Sequence, residues 1–366
     1  MTKILVLWAN ETTPNLGVRA LAAGSKTLIH RAWPDADVRI HGTGAGGQLG
    51  NDGPMNIGHL PPLVKERFVG RRGLEDWLTS FDLVFDTRAG DSFADVYGRR
   101  RLLKMSVITE FARQWGVPVV LGPQTIGPFE RWESRVLARR TLRIATRVMV
   151  RDPRSGEEAA RLGRAPDLVT TDVVFALPRP TPPKSRDVVL NVSGLLWVDN
   201  PHVAAEAYRR LVVDLIQSLE ASGRTVSLLA HVASHPHNTV DNDAHALQDI
   251  QRNVPGDREI LVPRSLDEAR ATLGSASVVI GSRMHACLNA LSVGTPAIPL
   301  AYSRKFVPLL QSLGWPIMVD LRDPADPLPA ILEAVERADL ADSVADLVRR
   351  GDRSMTDAAR LLEELG

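Results

Sequence analysis

The stretch SVVIGSRMHACLNALSVGTPAIPLAYSRKF, residues 277–306, decides the fold class. It starts with a short apolar run, continues in a helical pattern and returns to a second apolar run, AIPLAY, at residues 297–302. Short continuous apolar runs separated by helices are typical of a parallel sheet that is covered on both faces. The stretch therefore predicts a strand–helix–strand unit whose two strands end at the same edge of one sheet.

The same alternation runs through the whole chain of 366 residues. Strands are predicted at 3–8, 37–42, 82–87, 117–122 and 147–152, and again at 187–193, 225–231, 258–263, 277–282, 297–302 and 316–319. The glycine-rich and asparagine-rich stretch 42–58 is predicted to be a mobile loop. The pattern predicts an α/β protein with two Rossmann-like domains facing a central cleft.

A proline-rich break, ALPRPTPPK, separates the two halves of this pattern. Prolines are stiff and cannot extend a hydrogen-bonded ladder, so the break predicts a linker. The predicted organisation is a first domain at 1–177, a linker at 178–186, a second domain at 187–345 and a C-terminal helix at 346–366. This last helix is expected to pack back on the first domain.

Composition narrows the class of protein. The 44 basic and 43 acidic side chains nearly cancel, which argues against a dedicated nucleic-acid binder. Two arginine-rich clusters, at 99–104 and 139–147, fit either a solvated helix face or contact with an anionic acceptor or membrane surface. The single cysteine, Cys287, falls in an apolar stripe and excludes an internal disulfide. No segment reaches the length of a signal-peptide core or a membrane span, so a cytoplasmic protein is expected.

Three charged or titratable residues directly follow predicted strands. His285 lies in the first turn of the helix after strand 277–282, with Ser282 as its predicted N-cap. Lys305 follows strand 297–302, and Arg151 lies at the carboxyl end of strand 147–152, directly after RVMV. Ligands of parallel α/β sheets bind outside the carboxyl ends of the strands. We therefore interpret the three residues as a candidate site for a small anionic substrate, although a structural histidine and a local Arg151–Asp152 ion pair are also consistent with the sequence.

Further candidate residues lie at the same kind of edge. Arg304, next to Lys305, is a second candidate anion ligand, and Ser282 and Arg283 begin the helix of His285. The Ser193–Gly194 turn either supplies backbone donors to an anion or is only a tight turn. The remaining candidates are Gln124, His231 and Asp91, the last paired with Asp95 on one loop. His231 is followed by His235, His237, Asp241, Asp243 and His245, but these spacings match no strong metal motif, so no metal is expected.

Several of these segments resemble the polysaccharide pyruvyl transferase family. The resemblance is carried by GPQTIGPF at 122–129, VMVRDPRS at 148–155, NVSGLL at 191–196, GDSFADVYG at 90–98 and SRMHACLNALSVGTPAIPLAYSRKF at 282–306. Two loops depart from the glycine-rich versions common in that family. They are WANETTPNLGVRAL, which includes Asn15, and DTRAGDS, which includes Asp91; both loops are expected to face the acceptor.

The resemblance implies a GT-B-like fold and transfer of pyruvate from phosphoenolpyruvate to a sugar as a ketal. Phosphoenolpyruvate is then a co-substrate, and no cofactor is required. The essential arginine, histidine and lysine of the family correspond to Arg151, His285 and Lys305. The expected partners are this donor and a sugar or glycan precursor, free, nucleotide-linked or lipid-linked, in exopolysaccharide biosynthesis. Membrane contact is expected to be peripheral at most, and a homo-oligomer is compatible with the sequence.

Two other functions are compatible with the same sequence. A glycosyltransferase that uses a nucleotide-sugar donor shares the architecture, and fold alone does not fix function. A non-catalytic binding protein descended from an enzyme is the second alternative, although intact Arg151, His285 and Lys305 argue against it. The donor that the protein uses distinguishes a glycosyltransferase from a pyruvyl transferase. Release of phosphate distinguishes a pyruvyl transferase from a non-catalytic binding protein.

Overall fold

A computed structural model of the chain describes residues 1–42, 57, 59–70, 73–233 and 241–366. Most of the predicted loop at 42–58, together with His235 and His237, lies outside the described residues. The chain divides into two compact units. Unit 1 comprises Met1–Thr13, Val18–Leu177 and Asp352–Gly366, and unit 2 comprises Pro14–Gly17 and Pro178–Gly351.

Unit 1 is built on a parallel six-stranded sheet in the order β2-β1-β3-β4-β5-β6. Its strands are β1 (Lys3–Leu7), β2 (Asp37–His41), β3 (Leu83–Asp86), β4 (Val119–Gln124), β5 (Arg147–Val150) and β6 (Leu168–Val169). The central strands β3 and β4 are buried along their whole length. This is why they begin in the sequence with continuous apolar runs, LVF and VVL, rather than alternating ones.

Unit 2 carries a second parallel six-stranded sheet in the order β12-β11-β10-β7-β8-β9. Its strands are β7 (Arg186–Asn191), β8 (Val226–Leu229), β9 (Ile260–Leu261), β10 (Ala276–Gly281), β11 (Ala297–Ala301) and β12 (Val319–Asp320). The predicted strand at 316–319 is shifted, because only Val319 of that run pairs with β11. The two-residue strand β6 was not predicted, since so short a run carries no periodicity.

Helices separate the strands in both units. They are α1 (Leu16–Ala32), α2 (Leu60–Val69), α3 (Leu74–Thr79), α4 (Arg99–Gln114), α5 (Trp132–Ile144), α6 (Pro153–Arg161), α7 (Gly194–Trp197), α8 (Ala205–Ala221), α9 (Asp243–Asn253), α10 (Leu266–Gly274), α11 (Met284–Ser292), α12 (Phe306–Ser312), α13 (Leu328–Val335) and α14 (Leu340–Glu363). Among the described residues, none of these helices has the length and apolar character needed to cross a membrane.

The proline-rich segment before β7 has no regular secondary structure. It is nevertheless anchored, because Lys184 Nζ donates hydrogen bonds to Ala276 O at 2.6 Å and Thr295 Oγ1 at 3.1 Å. The C-terminal residues belong to unit 1, where Thr170 Oγ1 donates to Ser354 O at 3.0 Å and Arg147 pairs with Glu364 at 3.5 Å.

Candidate active site

The candidate site of unit 2 lies at the carboxyl edge of its sheet. Strands β10 and β11 are adjacent and parallel, with Val279 opposite Ala297. This confirms the prediction that the strands preceding His285 and Lys305 end at the same edge of one sheet. Strand β7 pairs with β10 on the other side, and β8 pairs with β7. The segments that follow these four strands therefore emerge side by side at one edge.

His285 is the second residue of α11 and not the third. The helix begins at Met284 and its N-cap is Arg283, so the predicted N-cap role of Ser282 is wrong. The reason lies in the neighbouring strand: Ser282 N–H donates to Asn191 O at 3.2 Å and Arg283 N–H donates to Asn191 Oδ1 at 2.9 Å. These two bonds keep the chain extended beyond β10, which delays the helix by one residue.

Ser282 and Ser193 are tied to each other through a tyrosine that sequence analysis missed. Tyr208 of α8 accepts a hydrogen bond from Ser193 N–H at 2.9 Å, and its hydroxyl lies 2.7 Å from Ser282 Oγ. Burial raises the pKa of the Tyr208 phenol, so the hydroxyl stays protonated. The Ser193 hydroxyl is fully buried and has no hydrogen-bond partner in the described part of the chain.

Asp243, at the start of α9, joins the segments that follow three strands. Its carboxylate accepts hydrogen bonds from the backbone N–H groups of Gly194 at 2.9 Å, His231 at 2.9 Å and Val232 at 3.0 Å. It also accepts from Arg283, through Nη2 at 2.6 Å and Nε at 3.0 Å. A buried carboxylate is stable in such a position only when its oxygens are satisfied, and here they are.

The Ser193–Gly194 turn is therefore structural at the backbone. Both N–H groups are already bonded, to Tyr208 and Asp243, so of the two alternatives the tight turn is observed and these groups are not available to an anion. Glycine is required at position 194 because an added Cβ would lie 2.2 Å from Asn242 O. The close approach of these two backbones brings Gly194 N–H within reach of Asp243.

Arg283 is buried and lies between two carboxylates. It pairs with Asp243 and also with Asp241, at 2.5 Å. Burial alone lowers the pKa of the guanidinium, but the two carboxylates outweigh burial and the net pKa is raised. Arg283 is thus a permanent cation engaged in structural pairs at this edge.

His231 is buried and neutral. Burial lowers its pKa to about 3, and the positive fields of His285 and Arg283 act in the same direction. Its Nε2 lies 3.3 Å from Asn289 Nδ2. Asn289 presents its NH2 group here because its Oδ1 accepts from Arg270 at 3.0 Å and an arginine can only donate. His231 Nε2 is therefore the acceptor, and its proton is on Nδ1.

Arg270 of α10 forms a buried polar row with Asn289 and Ser292 of α11. Arg270 donates to Ser292 Oγ at 2.8 Å as well as to Asn289, and Asn289 Nδ2 donates to His285 O at 2.8 Å. Burial lowers the pKa of Arg270 to about 10, so it remains charged at neutral pH. The row fixes the backbone of His285 and was not predicted, because Arg270 is 15 residues away in the sequence.

A segment from the start of the chain covers His285. Asn15 pairs with Val232 in an antiparallel bridge, and Leu16 N–H donates to His231 O at 3.2 Å. Asn15 Oδ1 accepts from Gly17 N–H at 2.9 Å, in the manner of a helix N-cap for α1. Gly17 itself lies against the His285 ring, where an added Cβ would be 2.8 Å from Cγ and Nδ1.

Lys305 is half-buried and directly precedes α12, while Arg304 is exposed. The neighbours of Lys305 include two aromatic residues that the sequence did not indicate. The rings of His202 and Tyr302 are 5.1 Å apart, and after burial the positive charge of Lys305 is a further cause of the lowered pKa of His202. Lys305 thus stands in a partly enclosed, aromatic environment.

Arg151 is the candidate residue of unit 1. It follows β5, is only 2% exposed and pairs with Asp172 at 2.8 Å. Its Nε donates to Thr125 Oγ1 at 2.9 Å. The alternative of an Arg151–Asp152 ion pair is wrong, because Asp152 instead caps α6 by accepting from Ser155 N–H at 2.9 Å.

Gln124, Asp91 and Asp95 also belong to unit 1. Gln124 is buried and donates to Asp86 O at 3.3 Å, while its Oε1 has no partner in the described part of the chain. Asp91 accepts from the Tyr97 hydroxyl at 2.7 Å. Asp95 accepts from the N–H groups of Glu130 and Arg131 at 2.9 and 3.0 Å, so the two carboxylates have separate partners.

Comparison with known proteins bears directly on this arrangement. The family model for polysaccharide pyruvyl transferase matches residues 15–304, more than three quarters of the chain. The chain belongs to the polysaccharide pyruvyl transferase family. No curated protein matches it closely enough to add to this assignment.

Solved structures similar to this family member are enzymes of the GT-B type. Sucrose-phosphate synthase from Thermosynechococcus elongatus has a TM-score of 0.59 at 13% identity, covering 100% of this chain and 98% of that one. UDP-GlcNAc 2-epimerase from Methanocaldococcus jannaschii has a TM-score of 0.59 at 14% identity, and the match covers 99% of each chain. MurG from Acinetobacter baumannii has a TM-score of 0.52 at 13% identity, and the match covers 100% of each chain. The predicted α/β, GT-B-like fold class is confirmed.

The departure from the family's glycine-rich loop after β3 has a visible structural basis. Arg88 and Ala89 adopt φ values of 46° and 51°, which are unfavourable for residues with a Cβ. Arg88 is held there by Asp86, at 2.9 Å, and by Thr109 Oγ1, also at 2.9 Å. In this member of the family, the buried Arg88–Asp86 ion pair thus stabilises a backbone turn that glycine would adopt freely.

The histidine-rich segment after β8 has a structural role where it is described. His231, Asp241 and Asp243 are engaged in the contacts given above. Over residues 1–42, 57, 59–70, 73–233 and 241–366, no cluster of three histidine, cysteine or acidic side chains has the geometry to hold a metal ion. His235 and His237 fall in the gap.

Proposed function

We propose that the protein transfers pyruvate from phosphoenolpyruvate to a sugar or glycan precursor as a cyclic ketal and releases phosphate. The observation that carries the proposal is the position of His285 and Lys305 after the adjacent parallel strands β10 and β11. The matched family region includes His285 and ends one residue before Lys305. Membership of a pyruvyl transferase family supports this reaction over other chemistry at the same edge.

The reaction requires one proton to move to carbon and a group to depart. One sugar hydroxyl adds to C2 of the enol phosphate and gives up its proton to the acid/base group, and the same group delivers a proton to the C3 methylene, which becomes a methyl group. The second hydroxyl then forms the other C–O bond as the C–O bond to phosphate breaks, and its proton leaves with phosphate. We assign both proton movements to His285, because an imidazole gives and takes protons near neutral pH.

The donor is an anion with a phosphate and a carboxylate, so it requires cations. Lys305 and Arg151 are proposed to bind these groups and to balance the charge on the departing phosphate. Arg151 has a fork-shaped guanidinium suited to either group, and Asp172 and Thr125 hold it in a fixed orientation. His231 is proposed to support the site from behind as a neutral residue, because it is buried.

The acceptor is proposed to be a sugar or glycan precursor of exopolysaccharide assembly, and the protein to act in the cytoplasm. Asn15 and Asp91 are proposed to help define the acceptor. Support comes from their placement, since Asn15 belongs to the segment that covers His285 and Asp91 follows β3.

Donor choice tests the proposal. We expect phosphoenolpyruvate to raise the thermal unfolding midpoint of the protein and UDP-glucose to leave it unchanged, because a ligand that binds the folded state stabilises it. The Lys305→Ala variant should lose this stabilisation, whereas Lys65→Ala, an exposed lysine of α2, should retain it. Stabilisation by UDP-glucose without phosphoenolpyruvate would instead favour a glycosyltransferase.

A further inference from the structure

Helices α4 and α5 of unit 1 leave an apolar groove open at the surface. Its volume is about 710 Å³, and its walls include Leu103, Val136 and Leu137. Trp132 is 70% exposed, Val136 56% and Leu103 39%. A tryptophan that a folded protein leaves this open, beside further exposed aliphatic residues, is typical of an interaction surface.

The charge of the same two helices is strongly one-sided. Helices α4 and α5 carry nine arginine and lysine residues and two glutamates, whereas the rest of the chain carries 35 basic and 41 acidic residues. Both glutamates pair within the surface: Glu133 lies 3.9 Å from Arg99, and Glu110 lies 2.8 Å from Arg140. The face is thus basic on a chain that is otherwise acidic.

The two properties lie on the same helix face. Trp132 and Val136 are one turn apart on α5, and Arg139, Arg140 and Arg143 continue that face over the next two turns. All five residues are exposed. An apolar strip that ends in arginines fits a lipid surface, since hydrocarbon contacts the strip while the long arginine stems reach phosphate headgroups.

The groove lies at the edge of unit 1 from which Arg151 emerges. The first α-helix after β3 is α4, and the first after β4 is α5, so the chain reaches both helices from the carboxyl edge of the sheet. The first turns of these helices, which form the groove, therefore start from this edge. Asp95, in the loop before α4, accepts hydrogen bonds from the N–H groups of Glu130 and Arg131, in the loop before α5. Asp95 therefore links the two loops. The Tyr97 hydroxyl connects the same region to Asp91 at 2.7 Å.

We propose that the α4–α5 groove is a docking surface for an anionic lipid bilayer. Trp132 and Val136 enter the headgroup–acyl boundary, and Arg139 and Arg143 bind lipid phosphates. The proposal goes beyond pyruvyl transfer and does not depend on it. It would bring the edge of unit 1 that carries Arg151 close to a membrane, where lipid-linked sugars are found.

Co-sedimentation of the full chain with vesicles tests the proposal. We expect binding to phosphatidylcholine vesicles that contain phosphatidylglycerol, and much weaker binding to pure phosphatidylcholine. Replacing Arg139 and Arg143 with alanine should weaken binding by about twentyfold, and Trp132→Ser by roughly tenfold. Raising the salt concentration should weaken binding of the wild-type protein further, because exposed charges are screened.

Two matched variants serve as controls. Arg349→Ala with Arg360→Ala removes two exposed arginines from α14, and Val169→Ser removes an exposed aliphatic residue from β6. Both should bind vesicles like the wild-type protein. Equal binding by the groove variants and the wild-type protein would overturn the proposal. So would binding to soluble polyglutamate with no binding to anionic vesicles, since that result assigns the groove to an acidic protein partner.

Discussion

The α-carbon of Gly17 lies against the imidazole of His285, so closely that an added Cβ would be 2.8 Å from both Cγ and Nδ1 of the ring. Asn15, through its bridge to Val232, and Leu16, through its bond to His231 O, hold this glycine in place. A segment from the first 20 residues of the chain therefore restricts where the ring of a residue 268 positions later can lie.

Gly17→Ala tests this restriction. Gly17 is in the first turn of α1 without a positive φ, so alanine suits its backbone and should stabilise the helix slightly. The methyl group would, however, also lie 2.9 Å from His285 Cβ, so both the ring and the backbone that carries it must shift. We therefore expect turnover to fall by roughly tenfold or more, and the unfolding midpoint to fall as well. Gly156→Ala is the control, because its nearest atom is a movable Val169 methyl group at 3.3 Å. Normal turnover in Gly17→Ala would show that the ring position is not restricted in this way.

Much of the fold could be predicted from local patterns. Strands β10 and β11 lie where their apolar runs indicated. The strand-end rule also brought attention to His285, Lys305 and Arg151. These features depend on residues close together in the sequence, where periodicity and strand ends are visible.

The residues that organise the edge could not be predicted in this way. Asp243 appeared in the sequence only as one acid near several histidines, yet it joins the segments after β7, β8 and β10. Tyr208 contacts the Ser193 turn, 15 residues away, and Arg270 contacts Asn289 of α11, 19 residues away. Ser282 was expected to cap α11, but bonds to Asn191 on another strand decided the helix start. Each of these features depends on a contact between residues that are distant in the sequence and that the folded unit brings together.

Asp243→Asn should destabilise unit 2. The change leaves Arg283 buried with less compensating charge and presents an NH2 group toward backbone donors. We expect a loss of about 3 kcal/mol in the free energy of unfolding, as is typical when one partner of a buried pair is removed. Urea unfolding measures it, with Asp357→Asn on the exposed face of α14 as the control. A loss no larger than that of the control would contradict the joining role of Asp243.

His231 should make the protein less stable in mild acid. The unfolded chain binds a proton on this histidine below its ordinary pKa of 6.5, whereas the folded chain does so only near pH 3. Stability should therefore fall as the pH drops from 6.5 toward 3, by up to about 1.4 kcal/mol per pH unit. His41, whose pKa burial lowers to about 4, acts in the same direction. Thermal unfolding of His231→Gln should show a smaller pH dependence over this range; an unchanged dependence would contradict the buried, neutral state.

Lys305→Ala should raise the KM for phosphoenolpyruvate and lower turnover. The lysine is the proposed ligand of an anionic donor group, and the loss of a charge-assisted contact typically costs tenfold or more, about 1.5–3 kcal/mol. Steady-state phosphate release measures both parameters, and Lys65→Ala should leave them unchanged. Lys184 is unsuitable as a control because its ammonium group is hydrogen-bonded to Ala276 and Thr295. Wild-type parameters in Lys305→Ala would remove this residue from donor binding.

The most direct test of pyruvyl transfer is phosphate release from phosphoenolpyruvate by the His285→Asn variant, measured with a panel of sugar acceptors. If His285 moves the protons, release should fall by about a hundredfold or more. Binding of phosphoenolpyruvate and the unfolding midpoint should stay close to those of the wild-type protein, and His245→Asn, on the exposed side of α9, should release phosphate normally. Release by His285→Asn at the wild-type rate would contradict the account.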